Sequence, residues 1–347
     1  MKVLVTGSEG YIGSVLMPKL KKNGYEITGY DICFYKNGLL TNENSNDYHL
    51  IEKDIRDVEE NDLIGFDAII HLAALSNDPL GKINEKLTYD INYEASLKLA
   101  KLAKKAKVKK FIFASSCSLY GASNNRLTED DISNPQTVYG KSKILTEKAI
   151  SKLADKTFSP TFMRNATAFG ISSRMRFDIV VNNLTGFAHT IQEIKMLSDG
   201  KAWRPLVHVN DICDAMITVL EAPKNIVYNQ AFNVGDNIEN YQVKDIALNI
   251  QKIYKQCELT FQEGTGSSDS RNYNVCFDKL NNILGYKCKV SLEDGINEIK
   301  KVYEEINLNN NKFEDKYFTR LKQILYLIEN NFIDNNLRVI KGSKDVF

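Results

Sequence analysis

The sequence lacks a dominant charge, a long apolar run and paired cysteines. Its 45 Lys and Arg against 44 Asp and Glu leave a formal charge of +1, so no global field draws it to nucleic acid or an anionic membrane, and basic residues that matter must act locally. No uninterrupted apolar stretch approaches the ~18 residues of a spanning helix. Met1-Lys2 leads straight into a short apolar strand, without the apolar stretch and small-residue cleavage site of a signal peptide. The six cysteines, at 33, 117, 213, 257, 276 and 288, form no CxxC pair and accompany no histidine ligand pattern. These absences predict a cytoplasmic protein with no membrane partner, no nucleic-acid partner and no metal.

What is present is a regular alternation. With 347 residues, 43% of them hydrophobic, the chain can bury a large core as one large domain or two intimate ones. Apolar strands alternate with helical patterns: KVLVTG, a helix over 11–22, YEITGYD, a polar loop at 36–47, YHLIEKDI, FDAIIHLAA, a long helix near 84–106, KKFIFASS, a helix over about 137–155, and SPTFMRN. Continuous apolar strands separated by helices predict an α/β fold, a doubly wound parallel sheet covered on both faces.

Gly7, Gly10 and Gly13 then fall in the first strand-to-helix turn, and Asp31 ends the second strand, 18 residues after Gly13. In that geometry a pyrophosphate rests on free N–H groups at the helix N-terminus, and an acidic side chain accepts hydrogen bonds from the adenosine ribose. The cofactor is therefore expected to be a nicotinamide dinucleotide. A 2′-phosphate beside Asp31 would oppose two like charges at ~4 Å, costing roughly 4 kcal/mol per charge pair at an effective dielectric of about 20. Ile32, Cys33 and Phe34 follow, with no Arg to relieve that repulsion. NAD is favoured over NADP.

A second constellation carries acid–base chemistry. Tyr139 and Lys143 in VYGKSK are four residues apart, which on a helix places an ammonium beside a phenol and favours the phenolate. Lowering a tyrosine pKa by about three units needs roughly 4 kcal/mol, within reach of a lysine and a positive nicotinamide ring. Ser116, in SSCSLYG, lies one strand-to-helix connection earlier.

With these residues the chain resembles the extended short-chain dehydrogenases/reductases, and within them the NAD-dependent epimerase/dehydratase family acting on nucleotide sugars. TGSEGYIG matches the family's dinucleotide loop, assigning Gly7, Gly10, Tyr11, Ile12 and Gly13 to the cofactor. KDIRD places Asp54 and Ile55 where adenine is held, HLAA places Leu72, Ala73 and Ala74 beside the cofactor, and Asn92 sits on the flanking helix. The resemblance implies a Rossmann-type NAD-binding domain over 1–170 with about 205–236, and a smaller substrate-binding domain over 171–204 and 237–347. It further implies that Ser116 hydrogen-bonds the reacting sugar hydroxyl, Tyr139 takes its proton, and Lys143 holds the nicotinamide ribose. Hydride then passes from the sugar carbon to NAD. Arg204 in RPLVHVNDICDA, Arg271 in SRNYNVCFDKL, and Asn183, expected to open a helix, would hold the substrate diphosphate, with Ser76 in the sugar's loop. A homodimer built through two long helices is implied as well.

The departures from the family narrow the reaction. Dehydratases carry Asp and Glu after the catalytic Ser/Thr, whereas this chain has Cys117 and Ser118, neither suited to that acid–base pair at neutral pH. The segments LSNDPLG at 75–81 and NATAFGISSRMRFD at 165–178 differ from galactose-type epimerases and look more similar to a branch containing capsule and heptose nucleotide-sugar dehydrogenases. The expectation is an epimerase that oxidises a sugar hydroxyl, at C4, and reduces it again. A net dehydrogenase or ketosugar reductase is the alternative, and the intact Ser116, Tyr139 and Lys143 set argues against a non-catalytic NAD sensor. His71 and His208 read as structural, NLNNNK at 307–312 as a loop, and FTRLKQILYLIENNFI as a packed or dimer-covering helix.

Overall fold

Val3, Leu4 and Val5 are fully buried, and the strand they form, β1 (Lys2–Thr6), lies inside a seven-stranded sheet. In the computed structural model, which describes residues 1–41, 47–76, 84–196, 198–261 and 271–340, the other strands of this sheet are β2 (Glu26–Asp31), β3 (His49–Glu52), β4 (Ala68–His71), β5 (Lys110–Ser116), β7 (Ser159–Asn165) and β11 (Gln230–Val234). The chain also makes β6 (Ala122–Leu127), β8 (Thr167–Phe169), β9 (Glu193–Met196), β10 (Trp203–His208), β12 (Asn240–Gln242), β13 (Glu258–Phe261) and β14 (Asn272–Val275). The large sheet has the order β11-β7-β5-β4-β1-β2-β3, and every neighbouring pair in it is parallel.

The order reverses at β1, which pairs β2 on one side and β4 on the other. The crevice outside the carboxyl ends of β1 and β4 is the place where open α/β sheets take ligands. One face of the sheet is covered by helices Gly13–Lys22 and Val209–Glu221, which bury Leu16, Leu20, Ile212 and Met216 against Val3, Val5 and Ile70. The other face buries Leu4, Ile69 and Phe111 under Leu99 and Ala103 of helix Ala95–Lys105. A smaller core, holding Phe169, Phe177, Leu206, Ile246 and Ile296, joins β8–β10–β12 to helices Val180–Thr190, Val243–Ile253 and Leu292–Glu305.

The stretch near 84–106 is less regular than its apolar spacing predicts. Helix Glu85–Tyr89 runs through a π-helical turn, Asp90–Glu94, into Ala95–Lys105. The loop expected at 307–312 contains the start of a short helix, Asn310–Phe313, because the Asn309 side chain caps it by accepting from Lys312 N. Residues 42–46 of the polar loop expected at 36–47 lie outside the described residues. Helix Arg320–Glu329 is packed as expected, with Ile324, Leu327, Ile333 and Leu337 entering the core beneath the large sheet together with Ile55, Leu87 and Ile91. All six cysteines are free, and no described helix is long and apolar enough to cross a membrane.

Candidate active site

The turn after β1 is made from glycine because nothing else fits. Gly7 has φ +73°, and a Cβ there would lie 2.7 Å from Ala73 N; at Gly13 a Cβ would overlap the carbonyl oxygens of Gly7 and Ser8. The backbone thus curls tightly against the loop that carries Leu72, Ala73 and Ala74, leaving a cradle suited to a diphosphate at the head of helix Gly13–Lys22. Tyr11 and Ile12 stand in the same turn, but the Tyr11 hydroxyl donates to Gly170 O at 2.7 Å and so ties the cradle to the smaller core.

Asp31 closes the cradle's far side. Its carboxylate accepts from Glu9 N at 3.0 Å and from Cys33 N at 2.8 Å. Burial pushes its pKa up to about 6, against the pull of the Cys33 N–H. Glu9 is itself buried and paired with Arg174 at 2.7 Å, a pair that also accepts support from Tyr48, whose hydroxyl donates to Glu9. The dinucleotide loop is therefore clamped to the segment around residue 174.

Asp54 and Asn92 are in place but occupied. The Asp54 carboxylate caps the turn Ile55–Asp57, accepts from Arg56 Nε at 3.0 Å and meets Arg338 at 3.1 Å. Asn92, buried in the π-helical turn, accepts from Leu75 N at 2.8 Å and donates to Leu75 O at 3.0 Å and Ser142 Oγ at 3.3 Å. It fixes the loop after β4. His71 does the same work one step deeper. Ser96 donates to Asn92 O and so accepts from Nε2 at 2.7 Å, leaving Nδ1 to accept from Thr6 Oγ1 at 2.6 Å. Burial lowers the His71 pKa to about 3, so the ring is neutral.

Ser116 ends β5, and Lys143, paired with Tyr139, reaches the backbone of the same strand two residues earlier. Ser116 Oγ accepts from Ser118 N at 3.1 Å, which leaves its proton available to a ligand oxygen. Helix Val138–Ser151 begins where Thr137 caps Gly140 N, and this sets Tyr139 in its first turn. Lys143, 3% exposed, donates to Ala114 O at 2.6 Å and lies 5.5 Å from the centre of the Tyr139 ring. Burial pulls its pKa down to about 7, opposed by Glu147. Behind β5, Glu147 pairs with Arg164 at 2.8 Å and accepts from Ser115. Among the described residues, Asn165 Oδ1 and Ser118 Oγ are buried without a hydrogen-bond partner, and Asn165 sits directly across the sheet from Ser116. These features and the glycine cradle fit a dinucleotide lying across the crevice.

Cys117, which follows Ser116, faces away from acid–base work. The Cys117 thiol donates to Arg164 O at 3.1 Å, and burial pushes its pKa up. Of the residues assigned to the substrate, Arg204 is 7% exposed and donates to the carbonyls of Trp203, at 2.7 Å, and Arg271, so the two arginine positions are adjacent. Asn183 is the fourth residue of helix Val180–Thr190, not its opening one, because the helix begins as soon as Ile179 leaves the extended conformation. Its amide donates to Phe177 O at 2.8 Å. Ser76 accepts from Arg176 at 3.2 Å, and the rest of the segment 75–81, from 77 on, lies outside the described residues. Arg176 was not singled out by sequence. Held by Asp178 at 2.9 Å, it is buried within the electrostatic reach of Tyr139. Its Arg-x-Asp spacing was the one available signal.

A parallel sheet with this glycine cradle, a buried carboxylate at the end of the second strand and a Tyr–Lys pair on the helix packed against β5 defines a dinucleotide-dependent enzyme of the Rossmann class. The match of residues 3–235 to the NAD dependent epimerase/dehydratase family places the chain in that family, and its cofactor is NAD. It is 27% identical over 338 residues to the UDP-glucose 4-epimerase of Bacillus subtilis, a match spanning 85% of this chain and 94% of the relative. Among solved structures it is similar to the UDP-glucose 4-epimerase of Thermotoga maritima with UDP-glucose (TM-score 0.76, 25% identity, 89% of this chain and 100% of that one). It is also similar to the UDP-glucuronic acid 4-epimerase of Bacillus cereus in complex with UDP-glucuronic acid and NAD (TM-score 0.76, 24% identity, 88% and 100%).

Proposed function

We propose that this enzyme interconverts the C4 epimers of a nucleotide-diphosphate sugar. The observation that carries the reading is the pairing of Tyr139 with Lys143 beside Ser116, while Cys117 is turned into the core and no carboxylate follows Ser116. When bound, NAD supplies the redox chemistry, removing hydride from the sugar carbon and returning it. Ser116 donates to the sugar oxygen and Tyr139 exchanges its proton, a general acid–base contribution of at least about a hundredfold. The Lys143 ammonium favours the charged phenol when it carries its proton. Arg204, next to Arg271, suits the diphosphate because a guanidinium donates two parallel hydrogen bonds to phosphate oxygens. The relatives that act on UDP-glucose and UDP-glucuronic acid support a sugar nucleotide as the substrate class.

The test is to incubate the protein with a panel of nucleotide sugars and follow product mass and NADH absorbance. Epimerisation leaves the mass unchanged and accumulates no NADH, and Tyr139→Phe keeps NAD bound while losing turnover by at least about a hundredfold. A change of two mass units with matching NADH would establish the net oxidoreductase instead. Loss of the mass of a water would overturn the argument from Cys117 and Ser118.

A further inference from the structure

Residues 318–340 touch each chain segment that follows the adenosine side of the crevice. Gln323 donates to Phe34 O at 3.0 Å, and the Arg320 guanidinium stacks 4.1 Å from the centre of the Tyr35 ring; both targets lie just after Asp31. Arg320 also donates to Arg174 O at 3.1 Å, behind the Glu9 pair. Arg338 meets Asp54 at 3.1 Å and Asp57 at 2.6 Å, while Arg56 donates back to the carbonyls of Asn336, at 2.7 Å, and Leu337, at 2.9 Å. Ile333 and Leu337 share a core with Phe34, Ile55 and Leu75. Two similar solved structures are matched over 100% of their length yet cover only 88–89% of this chain, so part of this chain has no counterpart in them.

We infer that residues 318–340 form the outer wall of the adenosine half of the NAD site, with Arg338 as a positioning residue that holds the turn Ile55–Asp57 through Asp54. The wall's contacts described above fall on the segment after Asp31, on the turn Ile55–Asp57 and on Arg174. Lys143, which serves the nicotinamide end, sits on helix Val138–Ser151 and donates to Ala114 O of β5. A wall that must loosen before adenosine leaves also slows cofactor release, the behaviour required of an enzyme that reuses one NAD in every turnover. That last step rests on the epimerase reading; the wall itself does not.

Arg338 is well exposed, 40% by side chain, so replacing it spares the fold. Calorimetry with NAD and with ADP, which carries the adenosine and diphosphate but no nicotinamide ribose, separates the two ends. Arg338→Ala is expected to weaken both ligands by the same factor, about three- to tenfold, with Arg338→Lys restoring much of the loss and the unliganded thermal midpoint unchanged within about a degree. An unchanged ADP affinity, a loss confined to NAD, or a fall in the unliganded midpoint large enough to account for the weakening would each overturn the wall. None of these outcomes bears on product mass, so the wall and the epimerase reading fail separately.

Discussion

Asp31 shows how one side chain can hold a loop and choose a ligand. Its folded pKa, about 6, lies above its ordinary value of 3.8, so burying the charge costs stability at neutral pH, and that cost vanishes below pH 3.8, where both states are protonated. NAD affinity is expected to fall as pH drops through about 6, as the carboxylate loses its capacity to accept from the ribose; calorimetry across that range checks it. Asp31→Ala should narrow an NAD-over-NADP preference of at least tenfold, about 1.4 kcal/mol. For Lys143 the sign is reversed. Its folded pKa, about 7, lies below the usual 10.5, so the unfolded chain binds the extra proton and stability rises with pH between the two values. Lys143→Met is expected to stabilise the NAD-free protein by about 1 kcal/mol or more at pH 7, with the gain fading above pH 10.5, as denaturant unfolding would show. Gly7, Asp31, Tyr139 and Lys143 were legible in the sequence because their chemistry is written in short spacings. Arg174 was not, since its partner Glu9 is 165 residues away, and for Arg176 only the pairing with Asp178 is local, its contact with Ser76 spanning 100 residues.

At the scale of elements, the buried Glu147–Arg164 pair joins helix Val138–Ser151 to β7 behind the Ser116 strand. Removing one partner strands a charge in the interior, so Arg164→Met is expected to destabilise by about 3–5 kcal/mol in denaturant unfolding, whereas changing both residues to apolar ones should cost much less. Strand β5 and this helix are legible in the sequence as an apolar run followed by a helical pattern over about 137–155. The π-helical turn Asp90–Glu94 went unread, because no residue type demands one and only the tertiary bonds of Asn92 to Leu75 and Ser142 reveal its use. The local motif of Asp54 points to adenine, while its partner Arg338 comes from 284 residues further along the chain.

Across the whole molecule, the seven-stranded sheet was legible because buried parallel strands are continuous apolar runs separated by helices. The three small sheets described beside it were harder to read: five of their seven strands are short, β8 and β12 with three residues each and β9, β13 and β14 with four, too few for a period to register. Between the two regions runs the segment that carries Arg174 and Arg176, two residues apart in sequence. One grips the dinucleotide loop through Glu9, and the other reaches Ser76 and the field of Tyr139. On the proposed reading, cofactor and sugar nucleotide would lean on the same short stretch of backbone from opposite ends. Whatever factor one ligand imposes on the other's dissociation constant, thermodynamic reciprocity returns it unchanged, so an enzyme that grips its sugar more firmly with NAD in place must grip NAD more firmly by that same factor while the sugar is bound.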